Sequence, residues 1–156
     1  MQKLISINRI LADEYRRHDA PIIELIKAST NDPFKVLVST ILSARTRDQV
    51  TAEVSARLFR VVNKPDDLRK LGRKKIEKLI YPTGFFREKA KHLFKLPSVL
   101  KKEFNGKIPR DIDGLCRLPG VGRKTANLVL SVAFNKPAIC VDIHVHRISN
   151  RLGLIR

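Results

Sequence analysis

Apolar residues recur along this sequence at spacings of three and four, the period of an α-helix, and no stretch alternates apolar and polar residues long enough to predict a strand. Leu4, Ile7 and Leu11 share one helical face and predict a first helix that ends near residues 18–21. Asp32 followed by Pro33 reads as an N-cap with a proline in the first helical position. It opens a segment (Phe34, Val36, Leu37, Val38, Ile41, Leu42) that is apolar on nearly every side, as befits a helix at the centre of a fold. Thr46 with Gln49 three residues on predicts a capping box ahead of a helix whose Val50, Val54 and Leu58 share a face. Pro65 begins a short helix stopped by Gly72, and Tyr81-Pro82-Thr83-Gly84 stops the next. A longer helical stretch over 85–104 is expected to be interrupted at Pro97 and closed by Asn105 and Gly106. The pattern predicts an all-α fold of eight or nine short helices, without internal repeat or flexible linker.

Residues 115–127, LCRLPGVGRKTAN, carry a different signal: a short helix runs into Pro-Gly-x-Gly and straight out into another helix, a helix-hairpin-helix. Two glycines let the backbone turn tightly and approach a ligand closely, with free N–H groups at the positive end of the second helix where a phosphate can sit. Arg123 adds charge beside the same spot. Such a hairpin grips DNA backbone without reading sequence. Lys124 heads a row, Lys124, Leu128 and Val132, that is apolar apart from the lysine, so its amine is expected on top of a buried stripe. Desolvation, the helix N-terminus and the neighbouring Arg123 would all disfavour the ammonium form and favour a nucleophilic amine. A plain phosphate contact is the other reading of the same lysine. Further on, Asp142 reads as the N-cap of a last helix carrying Val145, Ile148 and Leu152 on one face. A carboxylate there can accept a proton, orient an amine and stabilise a developing sugar cation, while capping alone is its simpler role. His144 and His146, two apart, fall on different helix faces and read as DNA-facing or structural residues, not as metal ligands.

Charge narrows the partner. The 156 residues hold 32 Lys and Arg against 15 Asp and Glu, a formal +17, spread from Lys3 to Arg156 and not gathered in one tail. A folded domain this basic is expected to meet nucleic acid. No run approaches the roughly 18 apolar residues of a membrane span, and the N-terminus has no signal-peptide pattern, so the expected location is intracellular, cytoplasm or nucleoid. Cys116 and Cys140 form neither a C-x-x-C pair nor a four-ligand metal set and are expected to be two buried thiols.

LPGVGRKTAN (118–127) followed by VDIHVHR (141–147) resembles the helix-hairpin-helix, Gly/Pro-rich, aspartate-containing glycosylase superfamily, and within it the endonuclease III family. The resemblance runs from Asp32 through 41–44 and 81–90 to Arg151. It implies a six-helix lobe (31–138, with the hairpin at 112–134) and a second lobe built from both chain ends (1–30 and 139–156), and a monomer that acts on double-stranded DNA. The implied chemistry is removal of a damaged, oxidised pyrimidine by lysine attack at the sugar C1′, then strand cleavage by β-elimination from the Schiff base. Lys124 matches the Schiff-base lysine and Asp142 the essential aspartate; Leu118, Gly120, Val121, Gly122 and Arg123 match the phosphate-gripping hairpin. The loop SARTRD (43–48) matches the one that enters the minor groove, with Ser43 and with Arg45 where the family often has glutamine. Gly84-Phe85-Phe86 matches the wedge loop, with Phe85 where an aliphatic residue is common, and His144 is expected to face DNA. The four C-terminal cysteines with which many members hold a [4Fe–4S] cluster are not in these 156 residues, so no cofactor is expected in this chain and the second lobe is expected to be incomplete. Two competing expectations are a non-catalytic DNA-binding module and a mismatch-specific glycosylase of the same superfamily.

Overall fold

A computed structural model describes residues 2–17 and 20–155, and among them the regular elements are ten helices and no strand. They are α1 (Gln2–Tyr15), α2 (Ile22–Thr30), α3 (Pro33–Ser43), α4 (Asp48–Phe59), α5 (Pro65–Leu71), α6 (Arg73–Ile80), α7 (Phe86–Phe104), α8 (Ile112–Cys116), α9 (Arg123–Phe134) and α10 (Ile143–Arg151). The chain divides into two compact units, Ile22–Cys140 and, from the two chain ends, Met1–Pro21 with Val141–Arg156.

Within the Ile22–Cys140 unit, α3 is the central helix that its all-round apolar sequence predicts. Every residue from Phe34 to Leu42 except Lys35 is buried, and α3 packs against α2, α4, α7 and α9. Asp32 caps it as expected, accepting a 2.8 Å hydrogen bond from Phe34 N–H. A second apolar row, Leu93, Leu96 and Leu100 of α7, completes the core with Leu58, Leu68, Ile76, Leu115 and Leu130. Each such side chain contributes roughly 1.5–3 kcal/mol on burial.

Four local expectations are corrected. The capping box at Thr46 and Gln49 does not form: α4 starts at Asp48 behind Arg47, without a side-chain cap bond, because the Thr46 hydroxyl is engaged elsewhere. Pro97 does not interrupt α7, which runs unbroken to Phe104. The proline removes one N–H, but Leu93, Leu96 and Leu100 all stay buried across it, and that packing outweighs the missing bond. The end of α7 is as expected, with Asn105 and Gly106 both at positive φ and Gly106 N–H donating to Leu100 carbonyl at 2.9 Å. Residues 22–30, expected in the second lobe with the N-terminal helix, form a helix of their own with Ile23 and Ile26 buried, and it belongs to the unit of α3 to α9. Cys116 and Cys140 are half-buried instead of buried.

In the unit of the chain ends, α1 stops at Tyr15, and part of its predicted terminus, residues 18 and 19, lies outside the described residues. Leu4, Ile5, Ile10 and Leu11 of α1 and Ile143 and Ile148 of α10 are exposed. None of the described helices is long and apolar enough to cross a membrane.

Candidate nucleic-acid interface

The helix-hairpin-helix is present as predicted, α8 and α9 joined by residues 117–122. Asp111 caps α8 through a 2.7 Å bond from Gly114 N–H. Leu118 and Val121 turn their side chains into the core, 2% and 6% exposed, so any contact they make with DNA is through main-chain atoms. They anchor the hairpin while its backbone faces outward.

The two hairpin glycines do different work. Gly120 makes the turn: its φ is +80°, and a Cβ there would lie 2.7 Å from His92 Nδ1 and 3.1 Å from His92 Cβ. Gly122 has an ordinary extended backbone, φ −96° and ψ 176°, and a Cβ on it would meet no atom within 4 Å. Among the described residues nothing requires a glycine at 122. It stands as N-cap of α9 with no side-chain cap bond, so the positive end of a 12-residue helix opens onto a bare backbone. Arg123 and Lys124 follow directly, both exposed. The burial expected for Lys124 is therefore corrected: Leu128 is half-buried and Val132 buried, but the lysine at the head of their row reaches solvent because it sits in the first turn, beyond the packed part of α9.

In the other unit, Asp142 is the N-cap of α10 as expected, its Oδ1 accepting 2.9 Å bonds from His144 and Val145 N–H. The side chains of His144 and His146 are exposed, and Asn150 Nδ2 donates to the His146 carbonyl at 2.9 Å. Among the described residues no three His, Cys, Asp or Glu gather as a metal site. The two thiols do not fit a cluster that needs four thiolates.

The loops at 43–47 and 81–85 contain features that the sequence left as isolated candidates. Arg45 and Phe85 both hold left-handed backbone, φ 53° and 55°, which costs a residue other than glycine about 1–3 kcal/mol. Both are exposed, Phe85 at 65%, and the Arg45 guanidinium lies over the Phe85 ring, 5.4 Å from its centroid. Gly84 makes this pairing possible, since a Cβ there would sit 2.4 Å from the Arg45 carbonyl oxygen. Ser43, by contrast, is half-buried and donates its hydroxyl back to Thr40 carbonyl at 3.0 Å.

Beneath these loops lies a residue that sequence reasoning missed. Lys89 is 5% exposed, and its Nζ donates to Leu42 carbonyl at 2.7 Å, Ala44 carbonyl at 2.7 Å and Thr46 Oγ1 at 2.9 Å. The first two acceptors belong to the C-terminal end of α3, whose last carbonyls have no partner within the helix and whose dipole favours a cation. Burial pushes the Lys89 pKa down to about 8. The available signal was its position at the head of the row Lys89, Leu93, Leu96, Leu100, a lysine on the buried face of a long amphipathic helix.

Comparison with known proteins agrees with this geometry. Residues 38–156 match the family model described as HhH-GPD superfamily base excision DNA repair protein. The chain belongs to this superfamily and, within it, to the endonuclease III family. It is 48% identical over 125 residues to the endonuclease III of Thermotoga maritima, covering 80% of this chain and 59% of that protein. It is 38% identical over 147 residues to that of Buchnera aphidicola, covering 94% and 69%. A solved structure of a non-covalent endonuclease III–DNA complex superposes with a TM-score of 0.86 at 39% identity, over 99% of this chain and 70% of that one. The chain thus spans about three fifths of the first of these relatives.

Proposed function

We propose that this protein is a base-excision-repair DNA glycosylase with abasic-site lyase activity, acting on double-stranded DNA that carries an oxidised pyrimidine. The observation that carries it is the start of α9: an uncapped helix end behind a glycine that no internal contact requires, with an exposed lysine two residues on. A DNA phosphate fits the open N–H groups at Gly122 and Arg123, with the main chain at Leu118, Gly120 and Val121 alongside. The phosphate then holds the sugar in reach of Lys124. Lys124 Nζ attacks C1′, the base leaves, and the resulting Schiff base permits β-elimination of the 3′ strand. Asp142 is proposed as the carboxylate that takes the lysine proton and stabilises the cationic sugar. Arg45 and Phe85 are proposed to fill the space vacated by the extruded base, since planar groups replace lost stacking, with Ser43 and His144 as flanking DNA contacts. The chemistry needs no metal, and we propose a monomer without cofactor that works inside the cell.

Borohydride trapping on a duplex with one abasic site tests this reading. A covalent adduct that disappears in Lys124→Gln is expected. An adduct that persists in Lys124→Gln would overturn the assignment of the nucleophile. Salt-sensitive binding with no adduct would instead favour a non-catalytic DNA-binding module. Excision from thymine mismatches but not from oxidised pyrimidines would move the chain to the mismatch-specific branch; a thermostable thymine-DNA glycosylase is among the structures it resembles, with a TM-score of 0.81 at 28% identity.

A further inference from the structure

Loops 43–47 and 81–85 are 38 residues apart in sequence at their bonded positions, Thr46 and Gly84, yet one side chain ties both. Thr46 Oγ1 accepts from Gly84 N–H at 3.2 Å and from Lys89 Nζ at 2.9 Å, and it donates to the Ala44 carbonyl at 3.4 Å. Lys89 N–H donates in turn to Phe85 carbonyl at 3.1 Å. The Lys89 side chain therefore holds the loop that carries Arg45 and, through Thr46, the Gly84 N–H beside the residue that stacks on Arg45, whereas its own N–H makes only the first intrahelical bond of α7. Both exposed side chains stand on left-handed backbone that non-glycine residues avoid, so without such bonds each loop would relax to a more favourable conformation. A buried lysine with three oxygen acceptors, two of them main-chain carbonyls, is a costly way to fill a core position, because an apolar side chain would satisfy packing alone.

We propose that Lys89 is a positioning residue that locks the two loops into one preformed wedge presenting Arg45 and Phe85 to DNA, so that base extrusion depends on it while the amine chemistry of Lys124 does not. This rests on the glycosylase reading above for its consequence, but on the loop geometry alone for its structure. Among the described residues no carboxylate shares the contact: the Nζ bonds are to two carbonyls and a hydroxyl. The lysine acts as a three-donor clamp and not as half of an ion pair.

The test compares two substrates with wild type, Lys89→Met and Thr46→Val. The first substrate is a duplex with an oxidised pyrimidine opposite 2-aminopurine, read by fluorescence rise on binding and by single-turnover excision. The second is a single-stranded abasic oligonucleotide, read by borohydride trapping, which needs no extrusion. Lys89→Met is expected to lose at least about tenfold in fluorescence-reported extrusion and in excision, with trapping retained within about threefold, and Thr46→Val to shift the same way by less. Equal losses on both substrates would show that Lys89 only supports folding and would overturn the proposal, as would unchanged extrusion. If Lys89→Met does not fold, Thr46→Val decides by the same two readouts. Wild-type protein that neither excises nor traps would sink the glycosylase reading, and the fluorescence rise, which needs binding alone, would still test the clamp; no rise with wild type overturns it.

Discussion

Gly122→Ala is expected to separate DNA binding from stability. In the folded protein the new methyl group meets open space, with no atom within 4 Å, and the backbone at φ −96° suits alanine as well as glycine. Two small effects oppose each other. Alanine restricts the unfolded chain, worth about 0.4–1 kcal/mol of stability, and it is a poorer N-cap than glycine by a comparable amount. The net change is within about 1 kcal/mol of zero, a shift in Tm of no more than about 4 °C for a protein of this size. Gly120→Ala, two residues away, is the contrast. Left-handed backbone costs alanine about 1–2 kcal/mol, and a Cβ held 2.7 Å from His92 Nδ1 and 3.1 Å from its Cβ forces a repacking of about 1–3 kcal/mol. That variant is expected to melt roughly 4–20 °C lower. For binding the order reverses among folded proteins. If a phosphate oxygen closes on Gly122, the methyl group displaces it and removes a charge-assisted hydrogen bond of about 1.5–3 kcal/mol, roughly a tenfold to hundredfold weaker Kd. Anisotropy titration with an abasic-analogue duplex at fixed salt measures it. Binding by Gly122→Ala within twofold of wild type would refute a close backbone approach at this residue, and a large fall in its Tm would refute the view that the position is internally unconstrained.

Two further perturbations test the remaining groups. Asp142→Asn keeps the oxygen that accepts from His144 and Val145 N–H, so it is expected to melt close to wild type while abolishing excision; Asp142→Ala should also lose about 1 kcal/mol from the missing cap, and an active Asp142→Asn would refute a role beyond capping. The Lys89 pKa lies at about 8 folded against an ordinary 10.5, so between those values the unfolded chain binds more protons than the folded one. The stability of wild type relative to Lys89→Met is therefore expected to be lowest below pH 8 and to rise from about pH 8 to 10.5; melts across that window that show a flat or falling difference would refute the burial of a charged lysine.

What the sequence made legible were features written in local chemistry. Asp32-Pro33 and Asp142 announce helix starts through short-range hydrogen bonds that need no tertiary context, and both caps form. Gly120 and Gly122 mark a hairpin, though only the first is required by the turn. The failures occur where distant segments compete for a group. Thr46 has the spacing of a capping box with Gln49, but its hydroxyl goes to Gly84 and Lys89, both about forty residues away in the chain. A lysine at the head of an apolar row is a sound signal of a buried amine, yet it holds at Lys89 and not at Lys124. The row on α7 continues under the end of α3, whose orphan carbonyls receive the ammonium, whereas the first turn of α9 projects past the core. Which row ends beneath another helix is a property of packing, invisible to periodicity.

Helix α7 also serves as a ruler. His92 abuts the hairpin turn at Gly120, and Phe85, at the start of the same helix, carries the stacked pair. Seven residue steps separate them, about 10 Å of rise, close to three nucleotide steps of about 3.4 Å along one strand. The hairpin proposed to grip the backbone and the stacked pair proposed to enter the duplex are thus indexed from one rigid rod, and their separation is a fixed stride. Removing a single residue between 85 and 92 would turn one end by about 100° against the other, leaving both features intact but out of phase on the DNA.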